Sequence, residues 1–278
     1  MGEKGLFKKD LRYQKGVPRH SKRAELGGVK CFYSKLEFNK EYKRFRSVDY
    51  FEFPGTLEEF ERFVERCGKR IILKPIFGSS GAGIYVPSIS NNEDVKKLYA
   101  KHSGEGVYFA EQMFIQHGAL SEINPTSVNT VRMYTVWDGQ EVHIMNTFVR
   151  FGAPGAFVDN IHGGGMCCEV DMACGMIIAS GRDLENHRFV RHRATDRIVV
   201  GTQVPQWEKV VETVKEAAML HTEIGYSAWD LAVSDDEITI IEANDQGNFD
   251  LPQCALQRGI KREYEKVLEI RRKNMAKA

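Results

Sequence analysis

The sequence predicts an α+β fold built mostly from antiparallel hairpins. Three observations carry that expectation. Residues 131–137 and 141–149 read as strands joined at Asp138-Gly139, a strong hairpin turn. Residues 227–233 and 237–243 read as two more strands, flanking the acidic turn Ser234-Asp235-Asp236. The helical segments do not alternate regularly with strands, which speaks against a parallel βαβ sheet.

The remaining elements follow in chain order. The first 50 residues are polar and aromatic, with weak periodicity. Thr56 then opens a helix: its hydroxyl can cap the end, and Glu59 is the capping-box partner. Leu57, Phe60, Phe63 and Val64 make the apolar stripe. Gly68 is a natural stop. Residues 70–75 read as a strand, 77–83 as a flexible loop, and Ile84-Tyr85-Val86 as a second strand. Residues 91–102 look helical and 107–110 extended. Residues 152–165 read as loop. A helix follows Pro205, with Trp207, Val210, Val211 and Val214 facing a core, and a basic helix closes the sequence. Trp137, Trp207 and Trp229 are expected in the core.

Composition narrows the function classes. The 278 residues are 42% hydrophobic and 28% charged, ordinary for a soluble globular protein. No apolar run approaches the roughly 18 residues of a membrane span. No apolar segment follows the basic start, so no secretory signal is read and a cytoplasmic location is expected. The six cysteines show no paired C-x-x-C spacing. Cys167, Cys168 and Cys174 are expected as reduced thiols rather than as a metal set. The net charge is +1, yet residues 1–50 hold 14 Lys/Arg against 6 Asp/Glu. Such an arm can touch nucleic acid, an anionic membrane or a phosphorylated substrate. It is read first as a solvated flap, because no basic block in it exceeds two consecutive residues. Nucleic acid is therefore not expected as a partner.

Two constellations carry chemistry. The first is Lys74-Pro75 followed by the loop Phe77-Gly78-Ser79-Ser80-Gly81-Ala82-Gly83. Glycines let backbone N–H groups approach phosphate oxygens, serines add donors, and a strand lysine adds a fixed charge. The loop lacks the GK[ST] ending of a P-loop and lies between strands, unlike the dinucleotide fingerprint. The second is Asp230 on one strand with Glu242 and Asn244 at the end of the next. Glu242 and Asn244 are two apart and share a face. Two carboxylates and an amide oxygen suit a hard cation such as Mg²⁺. Asp230 and Glu242 sit in apolar runs, where an unpaired charge is costly.

In this order, these features resemble the ATP-grasp superfamily. Further strings narrow the likeness: Ser127-Val128-Asn129-Thr130-Val131-Arg132, Val158-Asp159-Asn160 with Gly163-Gly164-Gly165, Trp229-Asp230, and Glu242-Ala243-Asn244. They resemble the sugar-transfer-associated branch, often encoded with polysaccharide biosynthesis enzymes. The likeness runs from about residue 70 to residue 257.

The resemblance implies two lobes with antiparallel sheets holding ATP and Mg²⁺ between them. The expected division is a short basic N-terminal extension (1–55), a small lobe (56–115) and a large lobe (116–278). Lys74 would contact the phosphates, and Gly78, Ser79, Ser80, Gly81 and Gly83 would close over them. Glu111, Gln112, Met113 and Phe114 match the segment that reads adenine. Asp230, Glu242 and Asn244 match the Mg²⁺ ligands. Arg132, with Lys74, would steady the transferring phosphate, unless Glu242 is simply its structural partner. Arg150, Asp159 and Asn160 are candidate substrate residues. Lys30 and Lys35 are the two positions open for the first ATP lysine of many members.

The implied activity is ATP-dependent ligation of a carboxylate to an amine through an acylphosphate, in polysaccharide or cell-surface glycan modification. Partners would be a small carboxylate and amine, or a sugar acceptor. A kinase acting on a hydroxyl and a non-catalytic nucleotide-binding scaffold stay open, as does a homo-oligomer. His162 reads as a plain loop histidine. The cluster of His187 and His192 among Arg182, Arg188, Arg191 and Arg193 reads as a solvated ribbon.

Overall fold

The computed structural model describes residues 29–78, 81–245, 247 and 249–276. Ser79 and Ser80, and the first 28 residues of the basic arm, lie outside the described residues. Helix α1 (Lys35–Glu41) leads into β1 (Tyr50–Glu52), α2 (Leu57–Arg66) and β2 (Ile71–Pro75). Helix α3 (Asn92–His102), β3 (Tyr108–Gln112) and the short α4 (Gly118–Ser121) follow. Next come β4 (Val131–Trp137), β5 (Val142–Phe151), β6 (Met166–Glu169), β7 (Gly181–Arg182) and β8 (Arg188–Phe189). Helix α5 (Trp207–Ala218), β9 (Tyr226–Val233), β10 (Ile238–Asn244), α6 (Asp250–Leu256) and α7 (Lys261–Met275) complete the order.

The strands form two antiparallel sheets. The smaller has the order β1-β3-β2, and the larger β10-β9-β4-β5-β6-β7-β8. The α+β expectation holds. The Thr56 capping box forms with Glu59, and Asn91 with Asp94 builds a second one at the start of α3. Phe60, Phe63 and Val64 of α2 pack with Phe51, Phe53, Ile71 and Leu73 into the small-lobe core.

Alternation along each strand decides what the large sheet shows to either side. Val131, Met133, Val149, Leu231 and Ile240 enter one core, against Val210, Val214 and Ala217 of α5. Tyr134, Phe148, Cys167 and Ala228 enter the other, against Phe249, Leu256 and Tyr264. Arg132, Arg150 and Asp230 share the parity of this second set. Helices α6 and α7 cover only part of that face. The rest is the floor of the cleft.

Several expectations change. Ile84-Tyr85-Val86 is not a strand: only Tyr85 bridges, exchanging backbone bonds with Leu73 at 2.8 and 3.1 Å. Pro87 follows at once and has no N–H to extend a ladder. The flap reading fails for residues 30–53. Cys31, Phe32, Phe38, Tyr42 and Phe45 are buried in the large core, with Phe32 and Tyr42 edge-on to Trp229. Tyr50–Glu52 pairs with β3 in the small sheet. His192 is also buried, its ring hydrogen-bonded to the Gly152 carbonyl at 3.0 Å, whereas His187 is exposed beside Asp183.

Candidate active-site cleft

Between the two sheets lies a cavity of about 950 Å³. Lys74, Gly81, Glu111, Gln112, Met113, Phe114, Arg132, Arg150, Asp159, Asn160, Asp230, Glu242 and Asn244 all line it. Gly78 and Gly83 flank this lining in the same loop. Positions far apart in sequence thus meet because strand parity turns them toward one space.

On the small-sheet side, Leu73 points into the lobe core, so Lys74 points the other way. Glu111 faces the same way from β3, diagonal to Lys74 in the register. Lys74 donates to Glu111, which also accepts from Arg46 at 2.5 Å and Asn39 at 3.2 Å. Burial alone would raise the Glu111 carboxyl; the Lys74 and Arg46 charges outweigh it and hold the group below the usual carboxylate range. Gly81 and Gly83 have φ of +75° and +76°, where a side chain would be strained. A Cβ at Gly81 would also lie 3.3 Å from Val158 of the large lobe, so the loop crosses the cleft mouth closely.

Residues 111–114, expected to read adenine, differ in what their backbone leaves free. The amide of Gln112 donates to Asp49 O at 2.8 Å and that of Met113 to Arg70 O at 2.9 Å. Among the described residues, the Phe114 amide donates to none. Of the three, its amide is the one free for a base edge.

On the large-sheet floor, Arg132 pairs with Asp230 rather than with Glu242. Its Nε donates to Oδ1 and its Nη2 to Oδ2 at 2.7 Å. The cause is register: Arg132 stands opposite Asp230 on β9. Arg150 Nη2 lies 3.0 Å from Asp230 and 3.1 Å from Asp159. Burial would raise the Asp230 carboxyl, but Arg132 and then Arg150 hold it low. Glu242, opposite Asp230 on β10, behaves the other way. Withdrawal from water and the Asp230 charge push its carboxyl above the usual range.

This donor set fits a divalent cation. Among the described residues no cationic side chain is hydrogen-bonded to Glu242, and the Asn244 amide donates to it at 3.3 Å. A hard cation there would relieve the Asp230–Glu242 repulsion. Asp230 already has both oxygens on arginines, so Glu242 and Asn244 are the residues free to hold an ion. The positive groups, Lys74, Arg132 and Arg150, fit an anionic phosphate chain in the same cavity.

The string 127–132 has a structural task. Asn129 Nδ2 donates to Gln116 Oε1, Leu120 O and Asn124 O, tying the loop before β4. Thr130 bonds Asp159 through its amide at 3.0 Å and accepts from Arg150 at 2.8 Å. Asp159 thereby anchors the 158–165 loop beside Arg150. Asn160 caps the turn that follows, accepting from His162 N at 3.0 Å.

Two cations in the site region come from the N-terminal segment. Lys35 lines the cavity and donates to Gly78 O at 2.6 Å. Burial holds its ammonium below the usual lysine range, with Glu242 partly offsetting. Of the two lysines left open, Lys35 is the one in the cleft. Arg46 was not signalled by any spacing or motif; only the tertiary fold places it beside Glu111.

A family model described as sugar-transfer associated ATP-grasp matches residues 48–269. The chain belongs to this ATP-grasp family. Comparison with curated proteins gives no match. Among solved structures, the ATP-grasp chain is similar to phosphoribosylamine–glycine ligase from Thermotoga maritima. The TM-score is 0.52 at 14% identity, covering 87% of this chain and 55% of that one. It is also similar to the ATP-grasp ligase PsnB in complex with minimal precursor, Mg and ADP. There the TM-score is 0.51 at 11% identity, covering 87% of this chain and 60% of that one. The same ligase with precursor peptide PsnA2 and AMPPNP gives 0.51 at 12%, covering 90% and 65%. At such identities the likeness shows the fold, which is ATP-grasp. The chain spans 55 to 65% of the length of these three structures. Among the described residues, no helix is long and apolar enough to cross a membrane.

Proposed function

We propose that this protein is a Mg-ATP-dependent ligase joining a carboxylate to an amine, with a role in polysaccharide or cell-surface glycan modification. The observation that carries the reading is the single cavity shared by Lys74, Arg132, Arg150, Glu242 and Asn244. The family description motivates the glycan context, and the bound ADP and Mg of PsnB motivate the cofactors.

Bound ATP with Mg²⁺ would supply an activated phosphoryl group to the substrate carboxylate, giving an acylphosphate and ADP; the amine would then attack the acyl carbon and phosphate would leave. Residues 56–115 and 116–278 would act as the two holding lobes, with residues 30–53 built against both. Phe114 would offer its amide to the base. Lys35 and Lys74 would hold the phosphates, and Glu242 with Asn244 the metal ion. Arg132 keeps Asp230 compensated and sets the floor of the site. Arg150, steadied by Thr130 and Asp159, is the cation best placed to turn toward an incoming carboxylate. Such positioning and charge compensation are the main demands of phosphoryl transfer.

The test is ADP and phosphate release from Mg-ATP with panels of sugar acids, amino acids and amines, in wild type and Glu242→Gln. Phosphate release that needs an acid and an amine together, and is lost in the variant, supports the ligase. ADP formation without free phosphate would replace it with a kinase. Failure of the folded protein to bind ATP would remove the reading altogether.

A further inference from the structure

Glu111 has two cationic partners, held in different ways. Arg46 is fixed on both sides. Its Nη2 meets Glu111 Oε2 at 2.5 Å, and its Nη1 donates to the carbonyls of Ile240 at 2.5 Å and Ile241 at 3.3 Å. Its neighbour Ser47 bonds Thr239 through the amide at 3.0 Å. The Arg46 side chain is only 3% exposed and does not line the cleft. Lys74 is the opposite case. It lines the cleft, and Glu111 is its one partner among the described residues.

A buried carboxylate stripped of its counter-charge is costly. If Lys74 were the sole cation on Glu111, an anion entering the cleft would have to compete for it. A second, permanent cation removes that competition. Resting on the nucleotide reading above, the geometry points to Arg46 as a positioning residue: the standing counter-charge of Glu111 that frees Lys74 to move onto an incoming phosphate. The same guanidinium grips β10 just before Glu242. One side chain therefore ties the lysine strand to the metal-site strand. Lys74 is the exchangeable member of the pair and Arg46 the fixed one.

The proposal predicts a coupling that a purely structural role would not produce. Binding of a non-hydrolysable Mg-ATP analogue would be measured by calorimetry in wild type, Arg46→Gln, Arg46→Lys, Glu111→Gln and Arg46→Gln/Glu111→Gln. Arg46→Gln should weaken binding by on the order of 10- to 100-fold. Arg46→Lys keeps the charge and should recover much of the loss. With Glu111 neutralised nothing holds Lys74 back, so Arg46→Gln should then cost little. The double variant should bind like Glu111→Gln alone. It carries no uncompensated buried carboxylate, so this comparison survives even if Arg46→Gln alone does not fold. An equal loss in both backgrounds, or no loss in either, overturns the inference. Absence of binding by the wild type would sink the nucleotide reading first, a different and recognisable result.

Discussion

Asp230 and Glu242 are neighbours across two strands, yet their environments push them apart. Asp230 is compensated by Arg132 and Arg150, whereas Glu242 has no cationic side chain bonded to it among the described residues. Their neutral isosteres should therefore behave oppositely. Asp230→Asn leaves Arg132 buried without its counter-charge and should cost about 3–5 kcal/mol of stability. Glu242→Gln relieves a like-charge contact, so its stability in urea should equal or exceed wild type while activity is lost. Urea unfolding of both variants checks this, and equal destabilisation would contradict the charge assignment. Glu111 sets a pH dependence. Its folded value lies below its unfolded value, so its contribution is complete above the unfolded value, about 4.3. It is lost as pH falls through the folded value. Stability should drop on acidification below about pH 4, and Glu111→Gln should flatten that drop. Lys74, Arg132, Asp230 and Glu242 were legible in the sequence because each is a charged group in an apolar strand, whereas Arg46 carries no such signal. Which charge pairs with which was not legible. The Arg132–Asp230 pair is a matter of register between β4 and β9, which no spacing in the chain encodes.

At the scale of elements, the capped helices and the β4–β5 and β9–β10 hairpins were readable because their signals are local. Thr56 with Glu59 and Asp138 with Gly139 need only near neighbours. The segment carrying α1 was misread for the converse reason. Its aromatic side chains are interleaved with charged residues, and their burial depends on Trp229, nearly two hundred positions away. Phe38 stacks on Tyr42 at 4.5 Å, and Tyr42 meets Trp229 at 5.7 Å. Tyr42 is fully buried, and its hydroxyl has no hydrogen-bond partner among the described residues. Removing that hydroxyl should help: Tyr42→Phe should gain about 1 kcal/mol. Removing the ring should cost about 3–5 kcal/mol in Tyr42→Ala. Thermal unfolding of the two variants separates these effects. A solvated flap would give no change in either. The weak strands β6, β7 and β8 also escaped the sequence, since β7 and β8 are two residues each and the ribbon they belong to is turn-rich.

Across the whole molecule, the two lobes are joined at points the chain order cannot foretell. Arg46 reaches Ile240 across 194 positions, Tyr33 donates to Asp245, and Gly81 lies against Val158. Ligand binding between lobes should strengthen these joints together, because a nucleotide would contact β2, β3 and β10 at once. Anything that binds the folded state alone stabilises it by mass action, about 2.7 kcal/mol at 100 times its Kd. For a chain of this size that is a rise of roughly 5 °C in Tm. The size of the rise should depend on the metal ion. On the proposed roles, with ATP alone Lys35 and Lys74 would face the phosphates while Glu242 would still repel them. With Mg²⁺ present, Glu242 would be a ligand instead of an opposing charge. Melting curves with ATP, Mg²⁺ and both should therefore show more than additive stabilisation in wild type. Glu242→Gln should lose the Mg²⁺-dependent part and keep the ATP-dependent part. Lys74→Ala should do the reverse, weakening the response to ATP whether or not Mg²⁺ is added. If both variants lost the two responses equally, the phosphate and metal contacts would not be divided between the lobes as drawn.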